Sequence, residues 1–186
     1  MPVDMKNVIA STFAAMAKQK GIDKITVKAL IDACGISRQT FYYHFQDIYD
    51  LLHWFLEHET AEVLQPCTSW QEALMTTFHY IQENHAIIYH IYRSSGREHL
   101  DCQFFTMSHA LTAKLLDTAA EGLVLAERDR EFLIDFYMYA LAGTMLGWLA
   151  DDMKEEPSEL AARISFLLED EFRRVAQRFS APSQPS

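Results

Sequence analysis

The segment from Ser37 to Phe45 carries a high concentration of side chains that donate and accept hydrogen bonds. The guanidinium of Arg38 can donate two parallel bonds to O6 and N7 of guanine, and the amide of Gln39 can bond N6 and N7 of adenine. The phenol of Tyr43 can reach a phosphate oxygen or pack on a thymine methyl. These residue types at this spacing predict contacts with the base edges and backbone of a DNA duplex.

The same segment has the periodicity of a short helix with one apolar and one polar face. At about 100° per residue, Phe41 and Phe45 fall on one side, whereas the hydroxyl and amide side chains fall on the other. A helix that faces only water usually carries Glu, Lys and Ala, so this composition indicates a second surface. We predict base contacts from Arg38, Gln39 and Tyr43. The other predicted DNA contacts are Thr26, Lys28, Ser37, Thr40, Tyr42 and His44.

Two helices joined by a glycine turn must position these side chains. Thr26 is a favourable N-cap for a short helix that ends near Ala33, and Ser37 is a favourable N-cap for the next one. Gly35 lies between them and can adopt the positive φ of a tight turn. This arrangement predicts a helix-turn-helix. In the alternative interpretation, the tyrosines at positions 42 and 43 only pack, and the histidine at 44 caps its own helix.

The stretch from Thr26 to Leu52, TVKALIDACGISRQTFYYHFQDIYDLL, resembles the N-terminal signature of the TetR family of bacterial transcription regulators. The resemblance implies that the first three helices form a DNA-binding head and that helix four links it to a ligand-binding body. It also implies that the last two helices pair in a dimer. Many members place a lysine shortly after the closing phenylalanine, where this chain has Gln46, Asp47 and Ile48. The resemblance therefore leaves that phosphate contact unassigned.

A second stretch, from Phe136 to Ile164, is similar to the C-terminal region of a TetR subgroup. That subgroup includes DhaS-like regulators of dihydroxyacetone kinase genes. The resemblance does not imply a particular ligand for this chain.

Hydrophobic spacings of three and four along the whole chain predict an all-α fold of about nine helices. Residues 1–46 are predicted to form the helix-turn-helix DNA-binding domain. Residues 47–179 are predicted to form a helical effector-binding and dimerisation domain. The Pro- and Ser-rich residues 180–186 are predicted to be a disordered tail.

The net charge of −10 is unevenly distributed along the 186 residues. Residues 1–50 carry a net charge of +1, and the remaining residues carry −11. A near-neutral head and an acidic body would approach a duplex head first, with an affinity that depends strongly on salt.

The remaining composition predicts a cytoplasmic protein without cofactor or membrane span. The N-terminal segment lacks the apolar core of a signal peptide, and we expect no membrane-spanning helix because acids interrupt the apolar runs. The three cysteines Cys34, Cys67 and Cys102 have no CxxC spacing and predict free thiols.

Two helices near the C-terminus predict a homodimer interface. Small residues, Ala140, Gly143 and Gly147, share one face of the penultimate helix and would permit close approach of another backbone. The final helix presents a nearly continuous apolar seam. The predicted interface also includes Trp148, Ile164, Leu168 and Phe172. The alternative is that one or both seams pack inside the monomer.

Aromatic and basic residues mix between positions 78 and 116, which is typical of a ligand pocket. The predicted pocket residues are Phe78, Tyr89, Tyr92, Arg93 and Phe105. The alternative assigns the aromatic side chains to the core and the polar side chains to solvent.

Other functions have less support in the sequence. His99, Cys102 and His109 share a helical face, but no HxxxH or CxxC motif supports a metal site. No motif of an enzyme, such as a phosphate loop or GxSxG, is present. The prediction is therefore a ligand-responsive regulator that binds operator DNA as a homodimer. The alternative is a ligand-independent coactivator or adaptor that acts through protein contacts of its body.

Overall fold

The computed structural model describes residues 4–180, which form ten α-helices and one short 3-10 turn. The first four helices are α1 (Met5–Lys20), α2 (Val27–Cys34), α3 (Arg38–His44) and α4 (Ile48–Leu64), with the 3-10 turn at Ile22–Lys24. The others are α5 (Trp70–Glu83), α6 (His85–Tyr92), α7 (Arg97–Ala119), α8 (Glu127–Ala150), α9 (Pro157–Leu168) and α10 (Glu171–Ser180). The described residues contain no β-strand, and the predicted all-α fold is confirmed.

The helices begin where polar N-cap side chains can satisfy their first backbone N–H groups. Thr26 accepts a hydrogen bond from the N–H of Ala29 at 3.1 Å at the start of α2. Asp47 accepts from the N–H groups of Tyr49 and Asp50 at the start of α4. These caps are the ones that the sequence predicts.

The predicted final helix is divided into two, which accounts for ten helices where the sequence predicts nine. Asp170 has a φ of 59°, in the left-handed region that interrupts the α-helical hydrogen-bond ladder. α9 ends before it and α10 begins after it. Ser180, assigned by the sequence to the disordered tail, is the last residue of α10, and the rest of that tail lies outside the described residues.

The described chain forms two compact units, and each unit combines segments that are separated along the sequence. The predicted division into domains at residue 46 remains a prediction. The first unit combines the residues up to Pro66 with Tyr80–Gln103. The second combines Cys67–His79 with the residues from Phe104 onward. The first unit therefore contains α4 and α6 in addition to the predicted head.

The core of the first unit forms where α1 packs against α2 and α6. The Phe13 ring meets Phe55 of α4 edge to face, with 6.0 Å between centroids. Two polar contacts fasten α6 and the turn after it to α1 and the 3-10 turn. The carbonyl oxygen of Ala17 lies 2.7 Å from Nδ1 of His90, and the backbone N–H of Ser95 donates to Asp23 at 3.1 Å.

The core of the second unit joins α7, α8 and α10. Its central residues are Leu116, Leu133, Ile134, Phe172, Val175 and Ala176. Trp148 of α8 packs edge-on against Phe78 at 5.1 Å, and its indole N–H donates to the carbonyl oxygen of Glu155 at 2.8 Å. Both units thus bury aromatic side chains at helix crossings.

Helix α8 is long and apolar enough to cross a membrane, by length and composition only. The sequence expectation of no such helix is incorrect on this point, because residues 136–150 contain no charged side chain. Core helices have the same length and composition, and α8 buries Leu141, Met145 and Leu149 within the second unit.

Candidate nucleic-acid interface

The turn between α2 and α3 has the geometry of a helix-turn-helix. Gly35 adopts φ 67° and ψ 31°, the left-handed conformation that glycine reaches without strain. The N–H of Ile36 donates to the carbonyl oxygen of Ile31 at 3.1 Å and closes the end of α2. Ser37 then caps α3 by accepting from the N–H of Thr40 at 3.0 Å. The predicted turn and caps are therefore both present.

The two faces of α3 differ sharply in exposure. The side chains of Phe41 and Phe45 are 0% and 2% exposed, whereas Tyr43 is 84% exposed and Tyr42 is 48% exposed. Helix α3 is therefore anchored on its apolar side and presents its polar side outward.

Most of the predicted DNA contacts lie on this outward side or at the start of α2. The exposed residues are Thr26, Lys28, Ser37, Arg38, Gln39, Tyr42 and Tyr43. Two others are only half-buried, because the Thr40 hydroxyl lies 2.8 Å from the Ser37 hydroxyl and the His44 ring meets the Tyr43 ring. The Arg38 guanidinium lies 5.8 Å from the ring centroid of Tyr42, which restricts its rotamers.

Lys6, which no local pattern in the sequence marks as a DNA contact, lies beside the end of α3. The ammonium nitrogen of Lys6 in α1 is 5.4 Å from the ring centroid of Phe45 and 5.5 Å from that of Trp54. The separation of about 40 residues along the chain gives no local signal for this contact.

The first unit also contains a cleft of about 460 Å³ between α1, α4, α5 and α6. The cleft has an apolar floor of alanine side chains, Phe55 and Ile87, and a polar rim. The rim residues are Asn7, Ser11, Lys18, His58, Glu59, Tyr80 and Asn84. None of these residues belongs to the predicted pocket.

The phenol of Tyr80 donates a short hydrogen bond to the carboxylate of Glu59 in this cleft. Burial, together with that bond and the negative charge of Glu59, raises the pKa of Tyr80 well above its usual range. The neutral phenol is therefore the form that the folded cleft stabilises.

Replacing Tyr80 by Phe is expected to lower the free energy of unfolding by about 1 kcal/mol at pH 7, because a charge-assisted hydrogen bond in a half-buried site is lost. Urea unfolding would show a lower midpoint at an unchanged slope. Since the unfolded phenol ionises near pH 10 and the folded one does so at higher pH, the difference in free energy of unfolding between wild type and Tyr80→Phe should shrink as the pH rises above about 10.

Tyr92→Phe is the control, because the Tyr92 hydroxyl makes no hydrogen bond among residues 4–180. Equal midpoints for wild type and Tyr80→Phe would contradict the prediction.

The residues of the predicted ligand pocket are distributed over both units. Phe78 is fully buried against Trp148 in the second unit, so it belongs to the core instead of a cavity wall. Phe105, in the same unit, packs edge-on against Tyr139 at 5.5 Å. In the first unit, the Arg93 guanidinium covers the ring of Tyr89 at 4.5 Å.

Tyr92, also in the first unit, is half-buried beneath the Arg97 guanidinium at 4.4 Å. Each of these two tyrosines is thus paired with an arginine. These pairings were not apparent in the sequence, which indicated only that aromatic and basic residues occur together in this segment.

Three residues of the predicted dimer interface are already buried inside the second unit. Trp148, Ile164 and Phe172 are 5%, 7% and 5% exposed, so a partner would have to meet other side chains. Leu168 is half-buried against the core cluster, and the assignment of these four residues to an interface remains a prediction.

The small residues of α8 lie on an exposed face. Nothing lies within 4 Å of a Cβ placed on Gly143 or Gly147, and Ala140 is exposed as well. The same face carries Phe136 and Tyr139, which are 58% and 62% exposed. We call the exposed residues Phe132, Phe136, Tyr139, Ala140, Gly143 and Gly147 the α8 face.

The candidate metal ligands do not converge. Within residues 4–180, no group of three or more His, Cys, Asp or Glu side chains has the placement of a metal site. The His99 ring instead stacks on Tyr49, with centroids 5.9 Å apart.

Two family profiles match this chain. The profile of the bacterial regulatory proteins of the tetR family matches residues 11–53, and that of a transcriptional regulator C-terminal region matches residues 68–170. A curated relative from Lactococcus lactis subsp. lactis (strain IL1403), the HTH-type dhaKLM operon transcriptional activator DhaS, is 30% identical over 82 residues. That alignment covers 42% of this chain and 44% of the relative, which is less than half of the relative's length.

Solved structures share the fold. The dihydroxyacetone kinase operon activator DhaS has a TM-score of 0.73 at 20% identity, covering 96% of this chain and 99% of that one. The fatty acid degradation regulator FadR from Bacillus halodurans has a TM-score of 0.59 at 16% identity, covering 90% of this chain and 96% of that one.

The helix-turn-helix, the helical body and these matches define the class of helix-turn-helix transcriptional regulators. Within that class, the chain belongs to the TetR family, as its sequence predicts, because the C-terminal profile alone matches more than half of its length. The family consists of transcriptional regulators and not of enzymes.

Proposed function

We propose that the chain controls transcription by binding operator DNA as a homodimer, with α3 of each subunit in the major groove. The observation that carries the proposal is the contrast along α3, where Phe41 is fully buried and Tyr43 is 84% exposed. A helix that is firmly anchored on one side can present Arg38 and Gln39 to base edges in a fixed orientation. We place this activity in the cytoplasm.

The distribution of charge supports an approach to DNA through the head. Residues 1–50 carry a net charge of +1, and residues 51–186 carry −11. The acidic part would be repelled by phosphate, so the orientation with α3 toward the duplex has the lowest electrostatic energy.

The α8 face supports the homodimer. It combines exposed aromatic rings with glycines that leave space for another backbone, and such a contiguous apolar surface is typical of an interface. A two-fold axis would bring the α8 face onto its own copy, and the resulting dimer would carry two α3 helices, one for each half-site of an operator.

The cleft of about 460 Å³ in the first unit supports a response to a small molecule. Its lining mixes apolar groups with a few hydrogen-bonding side chains, which is the composition of small-molecule sites. Since α1 and α4 both line it, an occupant would contact the helices that hold α3.

Gln39→Ala is expected to change the sequence preference, because the amide that pairs with a base edge is removed. Selection from a random duplex library would give the operator for the wild-type chain. On that operator, the substitution should cost about 1–3 kcal/mol and relax the preference at one position of each half-site.

Lys28→Ala provides the matched comparison, because this predicted contact is to a phosphate. It should weaken operator and unrelated duplexes alike and lower the salt slope by about 0.9 for each subunit that binds. Unaltered affinity and preference for Gln39→Ala on the selected operator would refute its assigned role.

A further inference from the structure

The ammonium group of Lys6 is held beside the residue that ends α3. It lies 5.4 Å from the ring centroid of Phe45, the C-cap of α3, and 5.5 Å from that of Trp54. These two rings pack against each other at 5.8 Å. Two cation–π contacts therefore fix the position of a lysine that would otherwise be mobile.

The charge of Lys6 is not neutralised by these contacts. Among residues 4–180, no carboxylate oxygen lies within 4.0 Å of its ammonium nitrogen. The neighbouring carboxylate of Asp4 instead accepts from the backbone N–H of Lys6 and from the side chain of Asn7. The aromatic rings offer no lone pairs, so the ammonium keeps its N–H donors for an external acceptor.

The start of α4, next to Phe45, has no lysine or arginine of its own. Asp47 accepts from two backbone N–H groups there, and Asp50 accepts from the N–H of Gln46 at 2.8 Å. Ile48 is buried. The backbone N–H groups at the start of α4 therefore donate to the chain's own carboxylates and are not available to a phosphate. These carboxylates also repel phosphate, so a DNA contact here requires a cation nearby.

We infer that Lys6 is a DNA phosphate contact, which α1 supplies beside the C-terminal end of α3. This inference rests on the proposed function and assigns one further contact to it. In the proposed complex α3 lies in the major groove, whose edges are lined by the DNA phosphates. The Lys6 ammonium, beside the C-terminal end of α3, would face one of these edges. Because the two rings already restrict Lys6, less side-chain entropy is lost when it binds.

The test measures binding to a random-sequence duplex of about 30 base pairs over a range of salt concentrations. Such binding depends almost entirely on phosphate contacts. Lys6→Gln is expected to lower the slope of log K against log salt by about 0.9 per bound subunit, and Lys6→Arg should keep the wild-type slope. Lys20→Gln is the matched control, because it removes the same charge from an exposed position of the same helix, about 21 Å away and outside the cleft.

The outcomes separate this inference from the proposed function. Circular dichroism and thermal melting would first confirm that the variants fold like the wild type. A wild-type slope for Lys6→Gln, with normal binding by the wild-type chain, would overturn the role of Lys6 alone. An equal loss of slope for Lys20→Gln would also overturn it, since the effect would then come from net charge. If the wild-type chain bound no duplex, both the inference and the proposed function would fail.

Discussion

Gly143→Glu is expected to convert the chain from a dimer to a monomer without unfolding it. A Cβ at Gly143 meets nothing within 4 Å inside the subunit, and Glu has a better helix propensity than Gly. In the proposed dimer, the substitution would bury a carboxylate from each subunit in an apolar contact, which is strongly unfavourable. Light scattering after size exclusion would show the change in mass, and circular dichroism would show unchanged helix content.

Loss of the dimer should lower the affinity for an operator with two half-sites by about 10²–10⁴-fold. Each monomer then binds one half-site independently, without the gain from two linked DNA-binding heads. Ala110→Glu, at an exposed position of α7, adds the same charge outside the α8 face and should leave the mass unchanged. A Gly143→Glu chain that remains dimeric at micromolar concentration would show that the α8 face is not the interface.

Phe41→Ala is expected to destabilise the first unit by about 3–5 kcal/mol, the usual cost of removing a fully buried phenylalanine. Such a loss is a large part of the stability of a typical domain. Urea unfolding followed by tryptophan fluorescence should show a lower midpoint, and DNA binding should be lost as α3 loses its anchor.

Tyr43→Ala is the matched comparison, two residues away on the opposite side of α3. Since this side chain is 84% exposed, the free energy of unfolding should stay within about 0.5 kcal/mol of wild type, while the affinity for the operator should fall. If both variants lost stability equally, α3 would not have the two faces that DNA reading requires.

The local features of the fold could be predicted from the sequence because they depend on neighbouring residues. Thr26, Gly35 and Ser37 each act within four residues, through a cap or a turn, and the structure has them in the predicted roles. The break at Asp170 was not predictable in this way. Apolar residues continue at helical spacing on both sides of it, and a single left-handed aspartate leaves no mark in that pattern.

The orientation of α8 could not be predicted because the helix carries apolar side chains of its own on nearly all of its faces. The sequence therefore could not distinguish Trp148, which faces the core, from Tyr139, which faces outward. The same limit applies to Lys6, whose contact with Phe45 depends on how α1 crosses the helices that follow. Side-chain types in the sequence predict the surface that meets DNA, whereas packing decides which residues remain available to a partner.

The discontinuous first unit has a consequence during synthesis on the ribosome. α6 completes the core against α1, with Ile87 and Ile91 almost fully buried, and the bond from Ser95 to Asp23 fastens the following turn. Domains generally fold as units as the nascent chain emerges. Helix α3 is translated by residue 44, but its supporting core cannot close until residues 80–103 have emerged. A chain released before that point would contain the helix-turn-helix without the helices that support it. The first unit can therefore fold, and bind DNA, only after translation has passed residue 103.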